Sequence, residues 1–132
     1  MKIDHIGIAV KNLQDALNQY EKILDKPTVQ IEEVPSEKVR VAMIAVGETR
    51  IELLEPLSED ITIAKFITER GEGVHHIGLT VEDIKSSIAK LSEAGLRVIY
   101  PEPRPGSHGK TITFLHPKST KGVLIELCQL PK

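Results

Sequence analysis

The chain is poor in the residues on which several functional classes depend. Its 132 residues include one cysteine, no tryptophan, two tyrosines and two phenylalanines. The single cysteine, Cys128, excludes an internal disulfide and is typical of a reducing compartment. So few aromatic side chains disfavour a surface that stacks on nucleic-acid bases or sugars.

Long apolar runs and a strong net charge are also absent. No stretch approaches the roughly 18 apolar residues of a membrane span, and the first ten residues alternate polar and apolar side chains, unlike a signal peptide. A net charge of −2 gives no general attraction to nucleic acid or to an anionic membrane. The composition favours a single globular domain over residues 1–132, which we expect to be cytoplasmic.

One short stretch of sequence occurs twice. DHIGIAV near the N-terminus matches HHIGLTV in the middle of the chain when His5 is aligned with His76. The similarity extends further, because TRIELLEP and VLIELCQL then align Glu52 with Glu126. An internal repeat of this length indicates two modules of similar structure within one domain.

The two modules, residues 1–72 and 73–132, are each predicted to fold as βαβββ. Asn12 and Asp83 are good N-caps, and each precedes a stripe of apolar residues at helical spacing. Two such sheets facing one another would make a half-barrel, an α+β fold. The predicted strands are Ile3–Val10, Thr28–Val34, Val39–Val46, Arg50–Glu55, Gly73–Val81, Arg97–Tyr100, Thr111–Leu115 and Val123–Cys128, with a linking helix at Ile61–Arg70 and a loop at Pro101–Gly109.

Strand alternation sorts the side chains of the repeated stretches onto two faces. In the first strand, Ile6, Ile8 and Val10 share the face that we expect to pack on the helix. The opposite face carries a histidine and, two residues later, a glycine that leaves room for a ligand. Four polar residues turn away from the helices in this way: His5, Glu52, His76 and Glu126.

Two imidazoles and two carboxylates that converge in a cleft suggest a divalent metal site. A single histidine or glutamate on a strand is more often structural or solvated. Recurrence of both residue types at matching positions in both modules favours a site. His75 aligns with Asp4 and not with His5, so we interpret it as a supporting or surface residue.

These four positions resemble the vicinal oxygen chelate superfamily, whose members pair βαβββ modules into a cup around a metal held by His, Glu or Gln, His and Glu. The resemblance covers nearly the whole chain and implies a cup-shaped mixed sheet around the metal. Within the superfamily, four stretches look most like the methylmalonyl-CoA epimerases. They are DHIGIAV, RIELLEPL, KFITERGEGVHHIGLTVEDI and FLHPKSTKGVLIELCQ.

The resemblance implies a 1,1-proton transfer at the carbon between the thioester and the carboxylate of methylmalonyl-CoA. It implies a divalent cofactor, with Co²⁺ as first choice and Zn²⁺, Mn²⁺, Ni²⁺ or Mg²⁺ as alternatives, and a homodimer. Glu126 and Glu52 would be the acid–base pair flanking that carbon. Some members have glutamine at the position of Glu52 and a further carboxylate on the preceding strand. Here that strand contains no acid, and the nearest carboxylates are Glu37 and Glu48, so the second base stays open.

Coenzyme A carries phosphates, and the chain has no Walker-type phosphate loop. Lysines clustered in a turn are more often solvated than bound to a ligand. A loop flanked by glycines often serves only to reverse the direction of the chain. The candidate substrate-binding residues all lie in the second module: Ser107, Gly109, Lys110, His116, Lys118, Ser119 and Lys121.

Three other functions fit the same fold. A glyoxalase I-type lyase would use the same four ligand types, although HPKSTKGVLIEL resembles the epimerase form better. Ring-cleaving dioxygenases of the superfamily use two histidines and one glutamate with iron. A non-enzymatic protein that binds small molecules is the alternative from another class, but such proteins often lose the metal ligands.

Overall fold

The computed structural model describes residues 1–25 and 27–132. Two compact units divide the chain: one is His5–His75, and the other joins Met1–Asp4 to His76–Lys132. The strands are β1 (Ile3–Ala9), β2 (Val29–Val34), β3 (Val39–Val46), β4 (Thr49–Pro56), β5 (Gly73–Thr80), β6 (Arg104–Pro105), β7 (Thr111–Leu115) and β8 (Ile125–Gln129). The helices are α1 (Leu13–Ile23), α2 (Thr62–Arg70) and α3 (Ile84–Glu93), with 3₁₀ turns at Ser107–Gly109 and Pro117–Ser119.

Four strands form a mixed sheet in the first unit, in the order β2-β3-β4-β1. Strands β2, β3 and β4 are joined as antiparallel neighbours, whereas β1 runs parallel to β4. Parallel neighbours need a long crossover, and α1 with the β2–β3 hairpin supplies it. The parallel register places Gly7 of β1 opposite Glu52 of β4.

Helix α1 begins where the sequence predicts it. The side chain of Asn12 accepts a hydrogen bond of 2.9 Å from the backbone N–H of Asp15, which satisfies one of the free donors at the helix start. Leu13 and Leu17 then face the sheet and pack with Val10, which follows β1, and with apolar residues of β3 and β4. The predicted packing of one face of the first strand on the helix is therefore confirmed.

Helix α2 covers the other side of this sheet. Ile63 and Ile67 pack with Ala9 and Leu54 in a second apolar cluster. The helix ends at Gly71, whose φ of 82° lies in the left-handed region that glycine adopts without strain. The linking helix predicted from the sequence is thus confirmed, with its first residue shifted by one.

The second unit repeats the arrangement with the order β5-β8-β7-β6. β5 runs parallel to β8 and places Gly78 opposite Glu126, and β7 is antiparallel to both β8 and β6. The first residues of the chain join this unit through a backbone bond of 3.0 Å from the N–H of Thr80 to the carbonyl of Lys2. Each module therefore has the predicted βαβββ order.

Asp83 caps α3 as Asn12 caps α1. Its Oδ1 accepts from the backbone N–H of Ser86 at 3.2 Å. Ile84 and Ile88 on the buried side of the helix pack with Leu127 of β8. Among the described residues, none of the helices is long and apolar enough to cross a membrane.

The strand predicted at Arg97–Tyr100 is wrong, although the other predicted strands agree with the structure to within one or two residues at their ends. The segment pairs with β7 only as an isolated bridge between Val98 and Leu115. At Tyr100 the side chain of Thr113 replaces the backbone hydrogen bonds of a sheet. Thr113 Oγ1 accepts from the N–H of Tyr100 at 3.3 Å and donates to the carbonyl of Tyr100 at 2.8 Å. The prolines that follow lack an N–H for a ladder, and the second strand of this module is instead β6.

We predict that Asn12→Ala lowers the free energy of unfolding by about 1 kcal/mol, because an N–H at the start of α1 loses its acceptor. Urea denaturation monitored by circular dichroism measures the change. Asn12→Ser is the matched control and should retain most of the stability, since a hydroxyl also caps. Equal losses in the two variants would contradict a capping role.

Candidate metal centre

Within the first unit, His5 and Glu52 form a buried pair. β1 carries the histidine and β4 the glutamate, and their side chains lie on the face turned away from α1. His5 Nε2 is 3.5 Å from Glu52 Oε1, and the two residues are 0% and 4% exposed. Gly7 lies directly opposite Glu52, so no side chain at that register position competes for the space.

His76 and Glu126 repeat this pair within the second unit. His76 Nε2 is 2.8 Å from Glu126 Oε1, and both residues are buried. Gly78 opposes Glu126 as Gly7 opposes Glu52. The alignment of His5 with His76 made from the sequence is therefore matched by equal strand positions in the two units.

Both pairs fit the requirements of a divalent cation. Donors bound at right angles to a cation about 2.1 Å away lie about 3.0 Å apart, and donors at a tetrahedral angle lie about 3.4 Å apart. The observed separations of 2.8 and 3.5 Å bracket these values. An imidazole nitrogen with a carboxylate oxygen suits zinc, cobalt, nickel, iron and manganese. Each pair can thus supply two ligands to a metal.

The second carboxylate oxygen of Glu126 meets a thiol. Cys128 Sγ lies 3.4 Å from Glu126 Oε2 and is fully buried. Burial raises the pKa of the Cys128 thiol, and the negative charge of Glu126 raises it further. The group is therefore a protonated donor at neutral pH and not a nucleophilic thiolate.

An aromatic contact holds the imidazole of His76 from the side. The ring of Phe114 meets it edge to face, with the ring centroids 5.9 Å apart. Phe114 stands opposite Glu126 in the β7–β8 register, so it shares the face of the second pair. Tyr100 in turn packs edge to face on Phe114 at 6.0 Å. These contacts limit the rotation of the histidine ring.

Lys110 occupies a place that the sequence did not predict. Its Nζ lies 3.0 Å from Asp4 Oδ2, and the two residues are 4% and 0% exposed. The sequence predicts Lys110 as a substrate-binding residue and aligns Asp4 only with His75. The two residues are 106 positions apart, and no local pattern links them. The ammonium of Lys110 compensates a buried carboxylate in the second unit.

The other candidate substrate-binding residues fall into two loops of the second unit. Ser107 is buried, and Gly109 has a φ of 72° in the 3₁₀ turn before β7. In the turn before β8, His116 Nδ1 accepts from the N–H of Lys118 at 3.0 Å, and Ser119 Oγ accepts from the N–H of Arg97 at 2.9 Å.

These hydrogen bonds fix the shape of the turn before β8 and leave the lysine side chains of that turn in solvent. The side chains of Lys118 and Lys121 are exposed. Their assignment to the substrate stays a prediction, as does that of the other candidates in the two loops.

His75 packs against helix α2. Its ring meets Phe66 of α2 edge to face at a centroid distance of 5.0 Å, and the guanidinium of Arg70 lies 5.7 Å from the same phenyl ring. Glu37 is half-buried between β2 and β3, and Glu48 is exposed in the turn after β3. Neither glutamate lies on β3 itself, so the structure adds no carboxylate to that strand.

The chain matches a known family and several solved structures. The Glyoxalase/Bleomycin resistance protein/Dioxygenase superfamily matches over residues 4–114. The ethylmalonyl-CoA/methylmalonyl-CoA epimerase of Cereibacter sphaeroides is 41% identical over 98% of this chain and 98% of that protein.

Two solved structures of epimerases share the fold. The methylmalonyl-CoA epimerase of Mycobacterium tuberculosis superposes with a TM-score of 0.93 at 34% identity, covering 98% of this chain and 88% of that one. A variant of the Streptomyces coelicolor methylmalonyl-CoA epimerase in complex with 2-nitronate-propionyl-CoA gives 0.91 at 39% identity, covering 98% and 94%. The α+β fold expected from the sequence is therefore confirmed.

We predict that Lys110→Met lowers the free energy of unfolding by about 3 kcal/mol, because it leaves the buried carboxylate of Asp4 without its ammonium. Asp4→Asn should have an effect of the same order. The double variant should lose clearly less than the sum, since neither charge is then left uncompensated. Urea denaturation measures all three.

Lys85→Met is the control, because it makes the same change at an exposed lysine of α3 and should leave the midpoint of unfolding unchanged. Strictly additive losses from Asp4→Asn and Lys110→Met would contradict a direct ion pair.

Proposed function

The chain belongs to the glyoxalase/bleomycin resistance protein/dioxygenase superfamily, and we propose that it is a metal-dependent epimerase that interconverts (R)- and (S)-methylmalonyl-CoA. The observation that carries the proposal is the buried imidazole–carboxylate pair at the same strand position in each half of the chain. Nearly full-length similarity to epimerases of this substrate supports it.

In this proposal the two pairs jointly bind one divalent cation. The chemistry of the donor set supports a shared site, because two imidazoles and two carboxylates leave positions open for substrate on a six-coordinate metal. Co²⁺ is our first choice, and Zn²⁺, Mn²⁺, Ni²⁺ and Mg²⁺ fit the same donors. The ligands would be His5, Glu52, His76 and Glu126.

Bound there, the metal would act as a Lewis acid on the thioester and carboxylate oxygens of the substrate. The chain must then supply a proton acceptor on one side of the reacting carbon and a proton donor on the other. Glu126 and Glu52 take these roles, because one comes from each half of the chain and both are carboxylates. Their burial keeps water away from the reacting carbon during a turnover, and each carboxyl group exchanges its proton with solvent between turnovers.

The remaining candidates bind the coenzyme A portion. Lys110 keeps its ammonium on Asp4, so the exposed Lys118 and Lys121 are the better cations for phosphates. Backbone N–H groups near Ser107 and Gly109 can hydrogen-bond to substrate oxygens, and His116 and Ser119 shape the turn that carries the lysines. A homodimer, by analogy with small members of the superfamily, and a cytoplasmic location complete the proposal.

We predict that the protein exchanges the α-proton of methylmalonyl-CoA for deuterium in D₂O, as monitored by proton NMR. EDTA should abolish the exchange, and cobalt should restore it.

Glu126→Gln should slow epimerisation at least 100-fold, because glutamine cannot accept a proton. Glu52→Gln should abolish inversion if Glu52 is the second base.

Glu82→Gln, an exposed carboxylate after β5, is the matched control and should leave the rate unchanged. Absence of exchange with every metal tested would overturn the epimerase assignment. Conversion of methylglyoxal and glutathione to a thioester would indicate the lyase alternative. Near-normal turnover in Glu52→Gln would limit Glu52 to metal binding.

A further inference from the structure

The two carboxylate oxygens of Glu126 have different neighbours. Oε1 lies 2.8 Å from His76 Nε2, whereas Oε2 lies 3.4 Å from Cys128 Sγ. All three residues belong to the second unit and are buried. The carboxylate is thus held on one side by an imidazole and on the other by a thiol.

The pairing of Glu126 with Cys128 follows from strand geometry. Residues two apart on a strand project from the same face, and both lie within β8. Cys128 is fully buried, and Ile112 stands opposite it on β7. The sulfur therefore cannot turn to solvent, and the hydrogen-bond acceptor that it contacts lies inside the protein.

Glu126 is the better of the two carboxylates near this thiol. A carboxylate oxygen of Asp4 lies within 4.8 Å of Cys128 Sγ, but Asp4 is already compensated by the ammonium of Lys110 at 3.0 Å. The Oε2 of Glu126 lies 3.4 Å from the sulfur, within hydrogen-bonding distance of a thiol donor. The hydrogen bond of the thiol is therefore with Glu126.

We propose that Cys128 is a positioning residue, whose thiol holds Oε2 of Glu126 and thereby presents Oε1 to the cation. This inference deepens the proposed function. The effect on metal binding rests on that function, whereas the hydrogen bond between Cys128 and Glu126 is independent of it. Groups that orient a metal ligand typically change the metal affinity 10- to 100-fold. A thiol is a weak donor, so we expect the lower end of that range.

The hydrogen bond has a spectroscopic test that needs neither metal nor substrate. Because the chain has one cysteine, the infrared S–H stretch is a single band that belongs to Cys128. A donated hydrogen bond weakens the S–H bond, so the band should lie at lower wavenumber in the native protein than in Glu126→Leu, which has no acceptor at this position. An identical band in both proteins would overturn the proposal.

The consequence for the metal is tested by calorimetric titration of the apoprotein with Co²⁺. Cys128→Ala should weaken binding about 10-fold, and Cys128→Ser should restore affinity to within about 3-fold of the native value, because a hydroxyl also donates. Ile88→Val is the packing control, since Ile88 lies on α3 on the other side of β8. It should bind Co²⁺ as the native protein does.

The outcomes separate this inference from the proposed function. If the native protein binds no cation, the metal-dependent function fails, and the infrared band still decides the hydrogen bond. If Cys128→Ser and Cys128→Ala both bind Co²⁺ with native affinity, the positioning role is overturned. If Cys128→Ser loses as much affinity as Cys128→Ala, a hydrogen-bond donor at this position does not restore binding, and the role is likewise overturned.

Discussion

A carboxylate taken out of water must be compensated inside the protein, and the structure around the candidate centre depends on this constraint. Removing such an ion from water costs several kcal/mol even after the protein relaxes. Three carboxylates are nonetheless almost fully buried here: Asp4, Glu52 and Glu126. Asp4 meets the ammonium of Lys110, and each glutamate meets an imidazole. An imidazole beside each glutamate is a donor set that suits a divalent cation, and in the proposed function that cation adds positive charge to the carboxylates.

The strand register places these groups. In each unit a parallel pair of strands sets a glycine directly opposite the glutamate. The histidine lies two residues before that glycine on the same face, so imidazole and carboxylate approach each other across a position without a side chain. Helices α1 and α3 cover the opposite face, where Leu53 and Leu127, each next in sequence to a glutamate, are buried in apolar clusters. One arrangement, encoded twice, accounts for the repeat in the sequence.

Much of the fold and of the candidate site could be predicted from the sequence, because those parts depend on periodicity and local chemistry. The caps at Asn12 and Asp83, and the burial of the aligned histidines and glutamates, follow from spacing along one segment. The contact of Cys128 with Glu126 also had a signal, since residues two apart on a strand share a face.

What could not be predicted depends on segments far apart in the chain. Alternation shows which face a residue occupies, but not which distant residue it meets, so the pairing of Lys110 with Asp4 was missed. The absence of a regular strand at Arg97–Tyr100 has a similar origin. It depends on the side chain of Thr113 bonding to the backbone of Tyr100.

The central claim is that the two histidine–glutamate pairs hold one cation between them, and the stoichiometry of metal binding tests it most directly. Calorimetric titration of the metal-free protein with Co²⁺ should give one ion per chain. His5→Ala and His76→Ala should each weaken that single site strongly, because each removes one of four ligands. Two ions per chain, or a variant in which one ion still binds with native affinity, would contradict a shared site.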